Sequence, residues 1–340
     1  MAAVLAIGGT GFIGRATTTH LSEAGHDVTV VSRGAPPNSF THTDIQHKRL
    51  DRNDTAALRS LAEEIGPDWV IDFAAFKPAQ VQAAVDLFAT VDAYVYISST
   101  HAYEYAHTIP LRERDTPIKS CTPEQAEDES FATYGHRKAA GDRIVMDAAA
   151  NGMNAKIIRP AAIFGPHDGT TRVNYWINRV NTYDEIVVPG DTSRMPTHLG
   201  YLSDVVSAIQ LVLSAGDPGA AYNVAHRRQL TFDQFLRYIA DALDTTVTVV
   251  HANEPELAAV DLTPEQFSYG QSSPYIVSTT KIHELGLTST PFDDAIATTV
   301  SAHLENDTEA PRYEIGRDRE LDLIASATGA RTDIDGINDP

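Results

Sequence analysis

A tyrosine and a lysine stand four residues apart in T-Y-G-H-R-K (133–138). On a helix, Tyr134 and Lys138 share one face. A phenol ordinarily titrates near about 10, and a neighbouring ammonium favours its ionised form. Such a pair can take a proton from a substrate hydroxyl while hydride leaves the same carbon, and can return it in the reverse direction. The spacing alone is common by chance and equally suits a solvated helix face. A second cluster strengthens the chemical reading. I-S-S-T-H-A-Y (97–103) closes a β-rich run with hydroxyls. Side chains at the carboxyl end of a strand point into the ligand crevice of an open α/β sheet, so Ser99 or Thr100 can hydrogen-bond a reacting oxygen. The alternative is a polar turn bonded to its own backbone. His101 and His136 flank this region and are candidates for touching substrate.

Hydride chemistry needs a carrier, and residues 8–14, G-G-T-G-F-I-G, supply a cradle for one. Gly8, Gly11 and Gly14, with Phe12 and Ile13 between the last two, follow an apolar strand and open a helix. That context separates a dinucleotide-binding turn from a chance glycine pattern. Glycine permits positive φ and a close backbone approach, and a helix N-terminus offers free N–H groups to a pyrophosphate. An acid at the end of the second strand would bond the ribose 2′-hydroxyl and select NAD. Here Ser32 and Arg33 occupy that place, and Arg33 can pair a 2′-phosphate, so the reading leans to NADP over NAD. Arg33 can equally stack on adenine or face water. Asp51 can contact adenine or cap the helix that follows it.

These groups need a scaffold to hold them. Short β-rich runs (3–7, 27–32, 45–50, 69–74, 93–98, 155–159) alternate with helical segments (13–24, 54–65, 131–150). That alternation predicts right-handed βαβ units and a doubly wound parallel sheet of the α/β class, a Rossmann domain over 1–165 with 199–226 returning to it. Beyond Pro160 the pattern loosens. Loop-like stretches (166–172, 189–198, 252–275) separate helices at 203–214 and 231–243, which predicts a smaller C-terminal substrate lobe from 166–198 and 227–304. Residues 305–340 read as a polar extension with one helix, 316–328, and a frayed end.

The chain has 340 residues and a formal net charge of −20, and six of its 26 basic residues are lysine. Such a surface repels polyanions, so nucleic acid is not expected as a partner. Self-repulsion of this size is relieved by molar salt, which suggests a halophilic source. No window approaches a membrane span. With one cysteine, Cys121, and no basic leader, the expected location is cytoplasmic. The 13 histidines show no tight ligand spacing, so no metal site is expected.

Taken together, G-G-T-G-F-I-G (8–14), D-F-A-A (72–75), I-S-S-T-H-A-Y (97–103), Y-G-H-R-K (134–138), R-P-A-A-I-F-G-P (159–166), L-S-D-V (202–205) and K-I-H-E-L-G (281–286) resemble the short-chain dehydrogenase/reductase superfamily. The match is to its extended branch, the NAD-dependent epimerases/dehydratases. The resemblance implies Tyr134 as acid/base, Lys138 as its partner and Ser99 as the hydroxyl member, with Thr100 the fallback. It implies that Ala74, Ala75 and the Pro160–Ile163 loop line the cofactor, and that the chain can form a homodimer. The expected substrate is a sugar or similar small molecule. The sequence also departs from the family. Thr197 stands where sugar-nucleotide enzymes carry a diphosphate-binding arginine, for which Arg194 can substitute, and the acidic stretch 252–266 offers no second one. D-F-A-A replaces the commoner asparagine- or histidine-led form. A non-catalytic dinucleotide sensor, or a scaffold for RNA or protein, is the alternative.

Overall fold

The computed structural model describes residues 1–37, 40, 43–104, 109–190, 196–270, 274–306 and 315–334. The chain divides into two compact units. The first comprises Met1–Ile163, Leu202–Ala225 and Val277–Ser289, and the second the remainder.

The first unit is built on β1 (Ala3–Ile7), β2 (Asp27–Ser32), β3 (Gln46–Arg49), β4 (Trp69–Asp72), β5 (Ala93–Ile97) and β6 (Ala155–Pro160). With a seventh strand, Ala221–Val224, they form one sheet in the order Ala221–Val224, β6, β5, β4, β1, β2, β3. All six pairings are parallel. Strand order reverses at β1, which pairs with β2 on one side and β4 on the other. A crevice for ligand opens at the carboxyl ends of the strands at such a switch point.

Why these runs are strands is visible in their burial. Alternate residues of one strand feed opposite faces of a sheet covered on both sides. Val4 and Ala6 join Val28, Val30, Ile71 and Ile158 in one core, into which Ile209 and Val212 of the helix Leu202–Ala215 also pack. Leu5 and Ile7 join Val31, Val70, Tyr94 and Ile157 in the other, against Leu58, Val81 and Val145. The helices that supply these layers include α1 (Phe12–Glu23), α2 (Thr55–Ile65), α3 (Pro78–Leu87) and, after the short α4 (Pro123–Glu127), which buries none of its residues, α5 (Tyr134–Ala150). Asp54 caps α2 by accepting from the Ala57 N–H, and Gly66 ends it in the left-handed region. Asp51 is therefore not that helix's cap. Pro78 opens α3, where its missing N–H costs nothing. Helix α3 has no counterpart in the sequence reading, because its buried residues are three small or β-branched ones, Val81, Ala84 and Val85.

In the second unit, Glu185–Pro189, Val247–Ala252 and Arg331–Ile334 make a three-stranded sheet beside helices Arg172–Thr182, Phe232–Ala242, Phe292–Asn306 and Arg317–Ser326. The segment after the last helix does not fray at once, since Arg331–Ile334 pairs antiparallel with Val247–Val250. Glu320, fully buried, anchors that last helix. It accepts from the Val187 N–H at 2.9 Å and pairs with Arg179 and Arg317. Among the described residues no helix is long and apolar enough to cross a membrane.

Candidate active site

The glycine turn sits at the sheet's switch point. Gly8 takes φ +81°, and a Cβ on it would stand 2.6 Å from the Cβ of Ala74, the second residue after β4. A Cβ on Gly14 would stand 2.7 Å from the Gly9 Cα and 2.8 Å from the Gly8 carbonyl oxygen. These two glycines are required by the chain's own packing. Gly11 is different. A Cβ there would meet nothing nearer than the Gly8 carbonyl oxygen at 3.8 Å, and its φ of −74° suits any residue. Gly11 is also the N-cap of α1, and no side chain caps that helix. The turn thus presents uncapped N–H groups beside an open approach, which fits a pyrophosphate held by backbone alone.

At the end of β2 the Ser32 hydroxyl lies 2.8 Å from His47 Nε2 of β3, and Arg33 is exposed. The Arg33 carbonyl accepts from Arg49 Nε at 2.9 Å. Asp51 is exposed and holds Asn53 through its N–H (2.9 Å) and its side-chain amide (3.0 Å). Arg15 is partly buried. Past β4, Asp72 is fully buried and pairs with Arg52 at 2.7 Å, which fixes the backbone leading to Ala74 and Ala75. The Asp72 carboxylate also accepts from the Ala74 N–H at 3.1 Å.

Tyr134 is the first residue of α5, and Lys138 lies one turn further in. The Lys138 ammonium is buried. It donates to the Ala75 carbonyl at 2.9 Å and the Ile97 carbonyl at 2.8 Å, so it bridges the carboxyl ends of β4 and β5. Two of its three donors are used in this way. It stands over the rings of Tyr96 (4.7 Å), Phe76 (5.1 Å) and Tyr134 (5.8 Å). Burial pulls its titration down to about 8, against the opposing pull of the Asp72 and Asp142 carboxylates.

The hydroxyl cluster separates its members. Thr100 is fully buried, and its hydroxyl donates to the Pro160 carbonyl at 3.1 Å. Ser99 starts the short helical turn Thr100–Ala102, accepting from the His101 N–H at 3.2 Å. Helix α5 comes close to this turn because residue 135 is glycine. A Cβ there would lie 2.2 Å from the His101 carbonyl oxygen. The His101 ring meets the Tyr134 ring edge-on, with centroids 6.0 Å apart. Ser99, His101, Tyr134 and Lys138 are thus gathered at one end of β5 and α5.

Sequence reasoning missed what holds them there. Arg159 of β6 pairs with Asp142 of α5 at 2.8 Å and donates to the Tyr103 hydroxyl at 2.8 Å, and Tyr103 donates on to Asn223 Oδ1 at 2.8 Å. All four side chains are buried, which raises the cost of breaking any one link. The signal was present as Asp142 one turn beyond Lys138 and as the arginine of R-P-A-A, but nothing in sequence pairs them. Ile163 packs into the core with Leu202. His136 lies with Nδ1 2.5 Å from the Ser120 carbonyl, which fits a donated N–H. Burial raises the Cys121 thiol, which disfavours the reactive thiolate. Arg194 lies outside the described residues, and Thr197 is buried in a short strand paired with Leu230–Thr231. Among the described residues no three His, Cys, Asp or Glu side chains cluster to hold a metal.

The family model for the NAD dependent epimerase/dehydratase family matches residues 4–225. The chain is 24% identical over 341 residues to the chloroplast stem-loop binding protein of 41 kDa b of Arabidopsis thaliana, covering 96% of this chain and 77% of that protein. It is 31% identical over 162 residues to the 2′-dehydrokanamycin reductase of Streptomyces kanamyceticus, covering 47% of this chain and 43% of that one. Among solved structures, dTDP-glucose 4,6-dehydratase of Bacillus anthracis in complex with NAD superposes with a TM-score of 0.72 at 16% identity, over 91% of this chain and 99% of that one. The chain belongs to the NAD-dependent epimerase/dehydratase family.

Proposed function

We propose that this protein transfers hydride between a nicotinamide dinucleotide and a hydroxyl or carbonyl carbon of a sugar or sugar-like small molecule, with Tyr134 as acid and base. The observation that carries the reading is that the glycine turn packs on Ala74 after β4 while Lys138 bonds Ala75 and Ile97, which brings the uncapped helix N-terminus beside Gly11 and the Ser99, Tyr134 and Lys138 group to the carboxyl ends of neighbouring central strands. When bound, the dinucleotide supplies or accepts the hydride. The chain's own groups manage the proton. Tyr134 exchanges it with the substrate oxygen, and the charge of Lys138 favours the phenolate. Ser99 orients the same oxygen. Thr100, whose hydroxyl is spent on Pro160, serves this role less well.

Gly8, Gly11 and Gly14, with the N–H groups of Phe12 and Ile13, would hold the pyrophosphate. Ala74 and Ala75 would line the middle of the cofactor, and Pro160 and Ile163 its nicotinamide end. Ser32, Arg33 and Asp51 would meet the adenosine. With Arg33 exposed and no acid at the end of β2, NADP is the favoured form over NAD. The first unit would then be the dinucleotide-binding part and the second the substrate lobe. We place the chain in the cytoplasm of a halophile, on its charge and single cysteine.

The test is a panel of nucleotide sugars, free sugars and polyols, each with NAD and with NADP, followed by product analysis. Turnover that disappears in Tyr134→Phe while cofactor binding persists supports the reading. Turnover that survives the substitution contradicts it.

A second reading has one specific observation behind it, the stem-loop binding protein that matches 96% of the chain. On that reading the fold binds nucleic acid or serves as a scaffold, and the dinucleotide acts as a sensed ligand. A net charge of −20 opposes it. A gel-shift with structured RNA at low salt separates the two, because the enzyme reading predicts no shift.

A further inference from the structure

Of the large apolar side chains in the first unit that stay in water, two flank the proposed reacting groups. Phe76 is 50% exposed and Phe131 is 63% exposed. Leaving each ring half solvated forgoes on the order of 1 kcal/mol of burial. Single exposed apolar residues need no explanation, but these two share one setting. The Phe131 ring stacks on Tyr134, with centroids 5.7 Å apart and planes 12° apart, and meets His101 edge-on at 5.6 Å. The Phe76 ring lies 5.1 Å from the Lys138 ammonium, on which it makes a cation–π contact. Along one edge the order is Phe76, Lys138, Tyr134, Phe131.

The backbone beneath both rings is held by built contacts. Arg137, buried between Tyr134 and Lys138 in sequence, donates Nη1 to the Phe76 carbonyl (3.0 Å) and Nη2 to the Ser130 carbonyl (2.8 Å). One guanidinium thereby fixes the spacing of the two segments. Gln80 Oε1 accepts from the Phe76 N–H at 2.9 Å, so both backbone groups of Phe76 are held by side chains. Asp128 accepts from the Ser130 N–H at 3.0 Å and from the Thr133 hydroxyl at 2.9 Å, which sets the turn that presents Phe131. Lys77 reaches Glu129 at 3.2 Å and Glu127 at 3.5 Å, a second clip between the same segments.

We propose that Phe76 and Phe131, spaced by Arg137, are apolar walls that keep water from the nicotinamide end of a bound dinucleotide beside Tyr134 and Lys138. The inference rests on the dinucleotide reading above. Excluding water strengthens the electrostatic coupling of Lys138 to Tyr134 and protects the transferring hydride from side reactions. The walls act by position and by lowering local polarity, and they take no part in proton transfer.

The test uses reduced dinucleotide as its own probe. NADH and NADPH are titrated into the stripped protein, and the emission of the bound nicotinamide and its quenching by acrylamide are recorded. The variants are Phe76→Ala, Phe131→Ala and the remote control Leu321→Ala, all at exposed positions where folding should survive. In wild type and in the control the bound emission should be blue-shifted and shielded. In each phenylalanine variant it should move toward that of the free dinucleotide, with a clear rise in quenching. Arg137→Lys should reproduce the change, because a lysine carries one nitrogen where the planar guanidinium uses two, Nη1 and Nη2, to reach carbonyls on two separate segments. Binding with unchanged emission and quenching in both phenylalanine variants would overturn this inference alone. An unchanged Arg137→Lys would overturn the role given to Arg137. Binding of neither dinucleotide by wild type would overturn the dinucleotide reading and this inference together.

Discussion

The glycine turn at residues 8–14 and the start of α5 at residues 131–138 both carry glycines, but the two places need them for different reasons. In the turn, Gly8 and Gly14 are fixed by neighbours in the chain itself, Ala74 and the Gly8–Gly9 backbone. Among the described residues, a Cβ on Gly11 meets nothing nearer than the Gly8 carbonyl oxygen at 3.8 Å. At the helix start, Gly135 is required by the His101 carbonyl, whereas Phe131 is 63% exposed and its burial is not what places it there. Each region thus contains residues that packing explains and one that it leaves unexplained. Under the proposed function, that residue in each case lies beside the bound dinucleotide.

The comparison can be broken most severely at Tyr134. Tyr134→Phe removes a hydroxyl and leaves the stack on Phe131, so turnover should fall by roughly 10²-fold or more, the usual worth of a positioned acid/base, while dinucleotide affinity holds. Steady-state rates beside a binding titration check this. Next comes Gly135→Ala, whose Cβ would strike backbone that cannot give way, at 2.2 Å. Overpacking of that kind costs about 3 kcal/mol, and denaturant unfolding of the variant should show it. Gly11→Ala should do the reverse, with less than about 1 kcal/mol lost from the unliganded protein and a marked loss of dinucleotide affinity.

A further effect, spread over pH, concerns Lys138. Its ammonium titrates at about 8 in the folded chain and at 10.5 ordinarily, because burial disfavours the charge. The unfolded chain therefore binds this proton more tightly, and the group's charge opposes folding at all pH values below about 8. That penalty fades as pH rises toward 10.5. The stability of wild type relative to Lys138→Met should accordingly climb between about 8 and 10.5, with a slope on the order of 1 kcal/mol per pH unit. A flat difference in urea unfolding across that window contradicts the assignment. The mildest effect per unit change is that of salt. With a net charge of −20, the melting temperature should rise as potassium chloride is raised from about 0.1 M to 1 M, over which the Debye length falls from about 10 Å to about 3 Å.

What the sequence could reveal follows from the range of the interactions concerned. The sheet was legible because each strand feeds two apolar faces, and the glycine turn because its residues are adjacent. Tyr134 and Lys138 were legible because a helical turn is a local period. The framework behind them was not. Asp142, Arg159, Tyr103 and Asn223 come from four separated segments, and Arg137 gains its meaning from carbonyls at Phe76 and Ser130. Asp51 reads in sequence as a possible cap for α2, and the hydrogen bond that Asp54 accepts from the Ala57 N–H gives that role to Asp54 instead. The strand Arg331–Ile334 was hidden because its partner lies more than 80 residues away, at Val247–Val250.

The most direct test of the account is calorimetric titration of NAD and NADP into stripped wild-type protein and into Gly11→Val, with the melting temperature of each unliganded protein measured alongside. The account predicts that wild type binds at least one dinucleotide, that Gly11→Val does not, and that the two proteins melt at nearly the same temperature. Absence of binding by wild type, or equal binding by both, would contradict it.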